Sequence, residues 1–127
     1  MLVDTDVLIW YLKGNLNAQS EINALSEFHI SVVSYIELVQ GMRNKQELIC
    51  LRRALRVWNT KISYITEDIS AKAMFYVEQY YLSHSLQLAD ALISATAVAN
   101  GFDVLTANVK HYRFLKDVSL KEFKPDI

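Results

Sequence analysis

The sequence predicts an α/β fold, a three-layer α/β/α sandwich with a mainly parallel central sheet. Short runs of apolar and β-branched residues alternate along the chain with longer segments whose apolar residues recur at helical spacing. At least one helical segment separates each pair of successive strands, which favours parallel pairing with helices on both faces. A length of 127 residues, 52% of them hydrophobic, indicates one domain over residues 1–127.

The first elements follow from apolar runs and the residues that interrupt them. Met1–Val3 is expected to be a buried strand, and Val7–Leu12 the first turns of a helix that ends at Gly14. Asn17–Ser26 has apolar residues at helical spacing and predicts a second helix. Phe28–Val33 is rich in β-branched residues and predicts the second strand.

The middle of the chain repeats this alternation. Tyr35–Gly41 is expected to be helical, and Lys45–Trp58 has leucines on one stripe of a longer helix. Lys61–Ile65 predicts the third strand, after which Thr66 caps a long helix over Glu67–Leu82. Three tyrosines of that helix are expected to pack against neighbouring residues: Tyr76, Tyr80 and Tyr81.

The last third contains the remaining strands. Leu88–Asn100 is an alanine-rich helix closed by Gly101, and its small residues predict close packing against the sheet. Phe102–Thr106 is expected to be the fourth strand and Asn108–Leu115 a short helix. Ser119–Phe123 predicts a final edge strand.

The composition contains no sign of a membrane or secreted protein. No basic region precedes the first apolar run, which is too short for a signal core or a membrane span. The single cysteine, Cys50, cannot form an internal disulfide and indicates a cytoplasmic protein. Because it lies among Leu48, Ile49 and Leu51, it is expected to be a buried thiol.

Charge is distributed unevenly, although the net charge is only −1. Residues 41–61 have a net charge of +5, and residues 108–127 a net charge of +2. The segments 1–40 and 62–107 are each −4. Basic helical surface beside acidic segments suits a polyanion held next to a metal site, although the basic run is equally explained as a solvated helix face.

Acidic and polar residues follow the predicted strands or begin the predicted helices. They are Asp4, Glu37, Asp90, Thr106 and Asn108. Because the carboxyl ends of parallel strands lie at one edge of the sheet, these residues are expected to converge there.

Several of these residues also have structural explanations. Asp6 is expected to cap the first helix. Ser34 and Glu37 have the spacing of a capping box, and Asn108 has the chemistry of an N-cap. Asp90 can complement a helix dipole, but its apolar neighbours favour a functional role.

Three converging carboxylates without a basic partner repel one another unless a cation neutralises them, and oxygen ligands favour Mg²⁺ or Mn²⁺. Zinc is disfavoured because the histidines lack ligand spacing. No glycine-rich phosphate loop and no Gly-x-Ser-x-Gly elbow is present, which disfavours P-loop nucleotide binding and a serine triad.

With these residues identified, nearly the whole chain resembles the PIN-domain family, specifically the VapC-type toxins of type II toxin–antitoxin pairs. The motifs, in chain order, are Val3-Asp4-Thr5-Asp6, Ser34-Tyr35-Ile36-Glu37-Leu38, Leu88-Ala89-Asp90-Ala91-Leu92-Ile93-Ser94-Ala95-Thr96-Ala97 and Leu105-Thr106-Ala107-Asn108. Each motif is weak alone, but four in this order are specific.

The resemblance implies a magnesium- or manganese-dependent endoribonuclease with a PIN-like fold. By match to the motifs, the catalytic and metal-binding acids are Asp4, Glu37 and Asp90. The residues that orient these acids or the substrate are Thr5, Asp6, Ser34, Thr106 and Asn108. Many members have a fourth acid near Asn108 or His111, and its absence here leaves open whether one or two metals bind.

The resemblance also implies partners. These are an RNA substrate, a cognate antitoxin that blocks the acidic pocket with a basic or aromatic side chain, and a second copy in a homodimer. The candidate RNA-backbone contacts are Lys13, Arg43, Arg52, Arg53 and Lys110.

Two other functions compete with this one. A phospho-acceptor signalling domain has a similar acidic pocket, and Asp4 with Asp6 imitates its acidic pair, but Asp90 lies on a predicted helix rather than after a strand. A PIN-like domain that binds RNA with weak or no catalysis is the second alternative, which the absence of a fourth acid leaves open.

Overall fold

A computed structural model of the chain describes residues 1–125. The last two residues of the predicted domain, 126 and 127, lie outside this range. Its strands are β1 (Leu2–Val3), β2 (Phe28–Ser31), β3 (Thr60–Ser63), β4 (Val104–Thr106) and β5 (Leu120–Glu122). Its helices are α1 (Thr5–Leu12), α2 (Leu16–Asn23), α3 (Val32–Gln40), α4 (Lys45–Val57), α5 (Glu67–His84) and α6 (Leu88–Asn100).

The strands form one parallel sheet in the order β3-β2-β1-β4-β5. Leu2 is in register with His29 on one side and Val104 on the other. The chain therefore runs outward from β1 to β3 and then returns to the opposite side of β1 at β4. This change of direction opens a crevice at the carboxyl ends of β1 and β4, where α/β proteins bind their ligands.

The core has two halves, one on each face of the sheet. Leu2 and Val104 pack with helices α5 and α6, whereas their neighbours Val3 and Leu105 pack with α1 to α4. Successive residues of a strand point to opposite faces of the sheet, so each strand contributes side chains to both halves of the core. The predicted three-layer α/β/α sandwich is confirmed.

Three predicted boundaries are wrong for local reasons. Helix α1 begins at Thr5 rather than Val7, because Asp4 is its N-cap. Strand β2 ends at Ser31, whose hydroxyl accepts a hydrogen bond from Val33 N and starts α3 within the β-branched run. Residues 108–115 form no α-helix, and only Val109–His111 makes a 3₁₀ turn.

Two predictions about buried residues are also wrong. Helix α4 buries Leu51, but each neighbour is rotated about 100° around the helix, and Cys50 is exposed rather than buried. Tyr76 is buried as predicted, whereas Tyr81 is 51% exposed. Within residues 1–125, no helix has the length and apolar character that crossing a membrane requires.

Candidate active site

Asp4 lies at the carboxyl end of β1 and is 6% exposed. Its Oδ1 accepts a hydrogen bond from Thr5 N at 2.8 Å. Its Oδ2 accepts from Thr106 Oγ1 at 2.8 Å and from Tyr112 Oη at 2.9 Å. Since Thr106 ends β4 and Tyr112 follows it in the chain, Asp4 joins the two strands on either side of the crevice.

Asp6 does not cap the first helix, contrary to the prediction. Its Oδ2 accepts from Ala107 N at 3.0 Å and from Asn108 Nδ2 at 2.9 Å, and so holds the end of β4 against α1. Asn108 is likewise not a side-chain cap, because its amide is used on Asp6. Tertiary contacts therefore replace both local interactions.

Glu37 and Ser34 lie inside α3, one turn apart, so the predicted capping box is wrong. Thr5 Oγ1 donates to Glu37 Oε1 at 2.7 Å and lies 2.9 Å from Ser34 Oγ. Because Thr5 is bonded through its backbone N to Asp4, this threonine connects the carboxylates of two elements.

Asp90 begins α6 and faces two residues of the segment after β4. Its Oδ1 lies 3.2 Å from Tyr112 Oη, whose one proton it shares with Asp4, and its Oδ2 lies 3.3 Å from His111 Nδ1. The sequence reasoning missed Tyr112, whose fully buried hydroxyl lies between Asp4 and Asp90. The available signal is a tyrosine just beyond the Thr106–Asn108 motif, but the sequence predicts for it a helix that does not form.

The site has few positive charges to balance its carboxylates. Burial raises the pKa of Asp4 and of Asp90, and the charges of Asp90 on Asp4 and of Glu37 on Asp90 raise these values further. Burial and the charge of Asp4 raise the pKa of Asp6 to about 6. Among residues 1–125, no lysine or arginine forms an ion pair with these acids.

The donor chemistry fits a hard divalent cation, since the acids offer only oxygen atoms and lack counter-charges. The positions of these side chains, however, do not form a closed set of metal ligands. In the part of the chain that the structure describes, no three His, Cys, Asp or Glu side chains are grouped closely enough to hold a metal ion. Hydroxyl groups of Tyr112 and Thr5 occupy the spaces between the carboxylates.

An apolar groove of about 500 Å³ opens beside Glu37, between α1, α3 and α4. Its apolar lining includes Ile9, Leu12, Leu38, Met42 and Leu51. Two of the candidate RNA contacts, Lys13 and Arg43, also line it.

The five candidate RNA contacts occupy different surroundings. The guanidinium of Arg43 pairs with Glu47 at 2.8 Å, so an RNA phosphate must compete with that carboxylate. Lys110 is exposed beside His111, close to the acids. Arg52 and Arg53 lie on α4 outside the acidic crevice.

The chain is similar to known proteins over most of its length. The family model for the PIN domain matches residues 1–116. Ribonuclease VapC10 of Mycobacterium tuberculosis is 36% identical over 120 residues, covering 88% of this chain and 85% of the relative. Ribonuclease VapC1 of Methanocaldococcus jannaschii is 30% identical over 125 residues, covering 95% and 85%.

Solved structures show the same fold. A toxin–antitoxin complex from Klebsiella pneumoniae contains a chain with a TM-score of 0.78 and 26% identity, covering 92% of this chain and 93% of that one. DNA-bound VapBC from Salmonella typhimurium contains a chain with a TM-score of 0.84 and 14% identity, covering 97% of both.

Proposed function

The chain belongs to the PIN-domain family, and we propose that it is the endoribonuclease toxin of a toxin–antitoxin pair. One observation supports this most directly. Four carboxylates from three helices and a strand end surround the crevice of the sheet, with hydroxyl groups between them and without a lysine or arginine partner among residues 1–125. They are Asp4, Asp6, Glu37 and Asp90. Such a site attracts a cation, and a cation attracts a phosphodiester.

We propose that Mg²⁺ or Mn²⁺ is the cofactor, held by Asp4, Glu37 and Asp90. When bound, such an ion lowers the pKa of a water molecule and offsets the negative charge that develops on the phosphorus oxygens. The hydroxyl groups of Tyr112 and Thr5 would release one carboxylate oxygen each to make room.

The residues around these acids have positioning roles in the proposed reaction. Thr106 and Tyr112 fix the rotamer of Asp4, and Thr5 fixes Glu37. Asp90 or Glu37 orients the attacking water, whose oxygen forms the new bond to phosphorus while the P–O bond to the leaving nucleotide breaks. The proton of that water passes to the site carboxylate, and the leaving oxygen takes a proton from solvent.

The direct test is cleavage of structured RNA with Mn²⁺ by the wild type and three variants. Asp4→Asn and Asp90→Asn should abolish cleavage, whereas Asp103→Asn, the same chemical change at an exposed position, should leave it unchanged. Without metal, Asp4→Asn should also raise the melting temperature, because it removes one of several repelling charges. RNA binding without cleavage by the wild type would instead support a binding-only domain.

The apolar groove suits a segment of the antitoxin. Leu12 is 43% exposed although it lines a groove with apolar walls, which an apolar partner would cover. Glu37 at the wall of the groove would attract a basic side chain of that segment into the acidic site. The neighbours that form toxin–antitoxin complexes support such a partner.

Leu12→Glu tests this assignment. The variant should keep its RNA cleavage but lose inhibition by the antitoxin encoded beside it. Leu88→Glu is the matched control, since Leu88 is 70% exposed outside the groove. Equal inhibition of both variants would place the antitoxin elsewhere.

The proposed homodimer has a candidate surface on α5. Met74, Phe75 and Leu82 are 63%, 52% and 95% exposed and lie on one side of this helix, where a second copy would cover them. Light scattering should give twice the chain mass for the wild type and for Glu78→Gln, and the monomer mass for Phe75→Glu. A monomeric wild type would contradict the dimer.

A further inference from the structure

A second cavity lies between helix α4 and strand β3 and has a volume of about 510 Å³. Its polar lining consists of Tyr35, Arg52, Arg56, Asn59 and Thr60, and none of the residues that line it is acidic. Five of its seven lining residues belong to the segment 41–61, whose net charge is +5.

Two arginines of this cavity are unpaired. Arg52 and Arg56 are one turn apart on α4, so both guanidinium groups face the same space. No ion pair within residues 1–125 includes either of them. Two like charges one turn apart repel each other, and an anion between them relieves that repulsion.

Asn59 and Thr60 complete the polar lining of the cavity. Thr60 Oγ1 is itself inaccessible to solvent, so other atoms of this half-buried residue face the cavity. Asn59, in the left-handed conformation at φ 55°, adds a side-chain amide beside it.

We propose that this cavity binds a phosphate group, held by the guanidinium groups of Arg52 and Arg56 and by the polar groups of Tyr35 and Asn59. Arginine is the side chain whose donor geometry matches phosphate oxygens. The proposal builds on the proposed ribonuclease activity by assigning this site to a backbone phosphate of the RNA, separate from the phosphate that is cleaved.

The position of the cavity relative to the acids supports this assignment. Ser34 and Glu37 point from α3 towards Thr5, whereas Tyr35 points about 160° away from Glu37 around the same helix and lines the cavity. The cavity therefore lies on the opposite side of α3 from Glu37. One RNA strand that crosses α3 can reach both places.

The test measures binding of a labelled RNA that the wild type cleaves, with EDTA present to prevent cleavage. The double variant Arg52→Gln/Arg56→Gln should bind about tenfold more weakly at 0.1 M salt, because one lost phosphate contact lowers the slope of log K against log[salt] by about 1. Lys45→Gln is the matched control, since it removes a positive charge from an exposed position of the same helix outside the cavity. It should bind like the wild type.

A second arm distinguishes RNA from a free phosphate compound. Inorganic phosphate, compared with chloride at equal ionic strength, should raise the melting temperature of the wild type and of Lys45→Gln but not of the double variant. If phosphate does so while RNA binds equally to all variants, the site belongs to a free phosphate compound and the RNA assignment is wrong.

Equal RNA binding and equal phosphate response in all variants would overturn the site altogether. Cleavage by the wild type would remain, so this failure differs from failure of the proposed function, in which no RNA is cut. If the double glutamine variant does not fold by circular dichroism, Arg52→Lys/Arg56→Lys replaces it. That variant keeps the positive charges but loses the paired donors of each guanidinium group. Its affinity for RNA should therefore be lower than that of the wild type, but by less than tenfold.

Discussion

Asp6 provides a quantitative test of the idea that the acids repel one another without metal. Burial and the charge of Asp4 raise its pKa from 3.8 to about 6. The folded protein therefore holds a proton on Asp6 between about pH 4 and pH 6 that the unfolded chain has released. The stability that this proton contributes is complete below pH 3.8 and is lost as the pH rises through 6.

The expected size follows from the two pKa values. A tenfold change in proton affinity is worth about 1.4 kcal/mol, so ionised Asp6 costs about 3 kcal/mol of folding free energy above pH 7. Asp6→Asn removes the charge, and its amide oxygen can still accept from Ala107 N and Asn108 Nδ2. Relative to the wild type, Asp6→Asn should therefore gain about 3 kcal/mol between pH 4 and pH 8.

Urea unfolding in EDTA at a series of pH values measures this difference. Asp103→Asn is the control, because it makes the same chemical change at an exposed position. A difference for Asp6→Asn that does not change with pH would refute the reasoning, since it would mean that the Asp6 carboxylate is ionised without cost. A difference of the opposite sign would show that Asp6 is paired with a positive charge.

Three further predictions concern other features of the structure. Tyr112→Phe should lower the free energy of unfolding by about 1–3 kcal/mol in urea, because it removes the buried hydroxyl that bonds to Asp4 and Asp90; a neutral effect would show that these bonds are not formed. Mn²⁺ should raise the melting temperature of the wild type more than that of Asp90→Asn, and equal shifts would remove Asp90 from the proposed ligands. Gly101→Ala should cost about 1–2 kcal/mol by thermal unfolding because the residue has φ +69°, although no atom lies within 4 Å of an added Cβ; an unchanged melting temperature would argue against the left-handed helix end.

The spacing of apolar residues was sufficient to predict the layers of the fold. This spacing distinguishes strands from helices, and a parallel sheet then places the carboxyl ends of its strands at one edge. That reasoning correctly brought Asp4 and Thr106 into contact across 102 residues of sequence. It failed at Val32 and Val33, where β-branched residues that favour strands begin α3 because Ser31 caps the helix.

Local sequence patterns predicted the wrong hydrogen-bond partners for several polar side chains, because these side chains can bond either within their own helix or to another element. Asp6 and Asn108 have the chemistry of helix caps, but in the folded chain they bond to each other. Ser34 and Glu37 have the spacing of a capping box, but both approach Thr5 instead. Sequence spacing describes only the partners within one turn, and a buried hydroxyl or amide from another element competes with them on equal terms.

The sequence by itself determined the layered α/β fold, the family and the edge of the sheet where the acids would lie, because these depend on periodicity and on motifs in fixed order. Only the tertiary structure decided which atoms fill the spaces between the acids. Tyr112 lies between Asp4 and Asp90, and Arg52 and Arg56 share a cavity with Tyr35 of another helix. Such contacts join residues from separate elements, and their distances exist only once the helices have packed on the sheet.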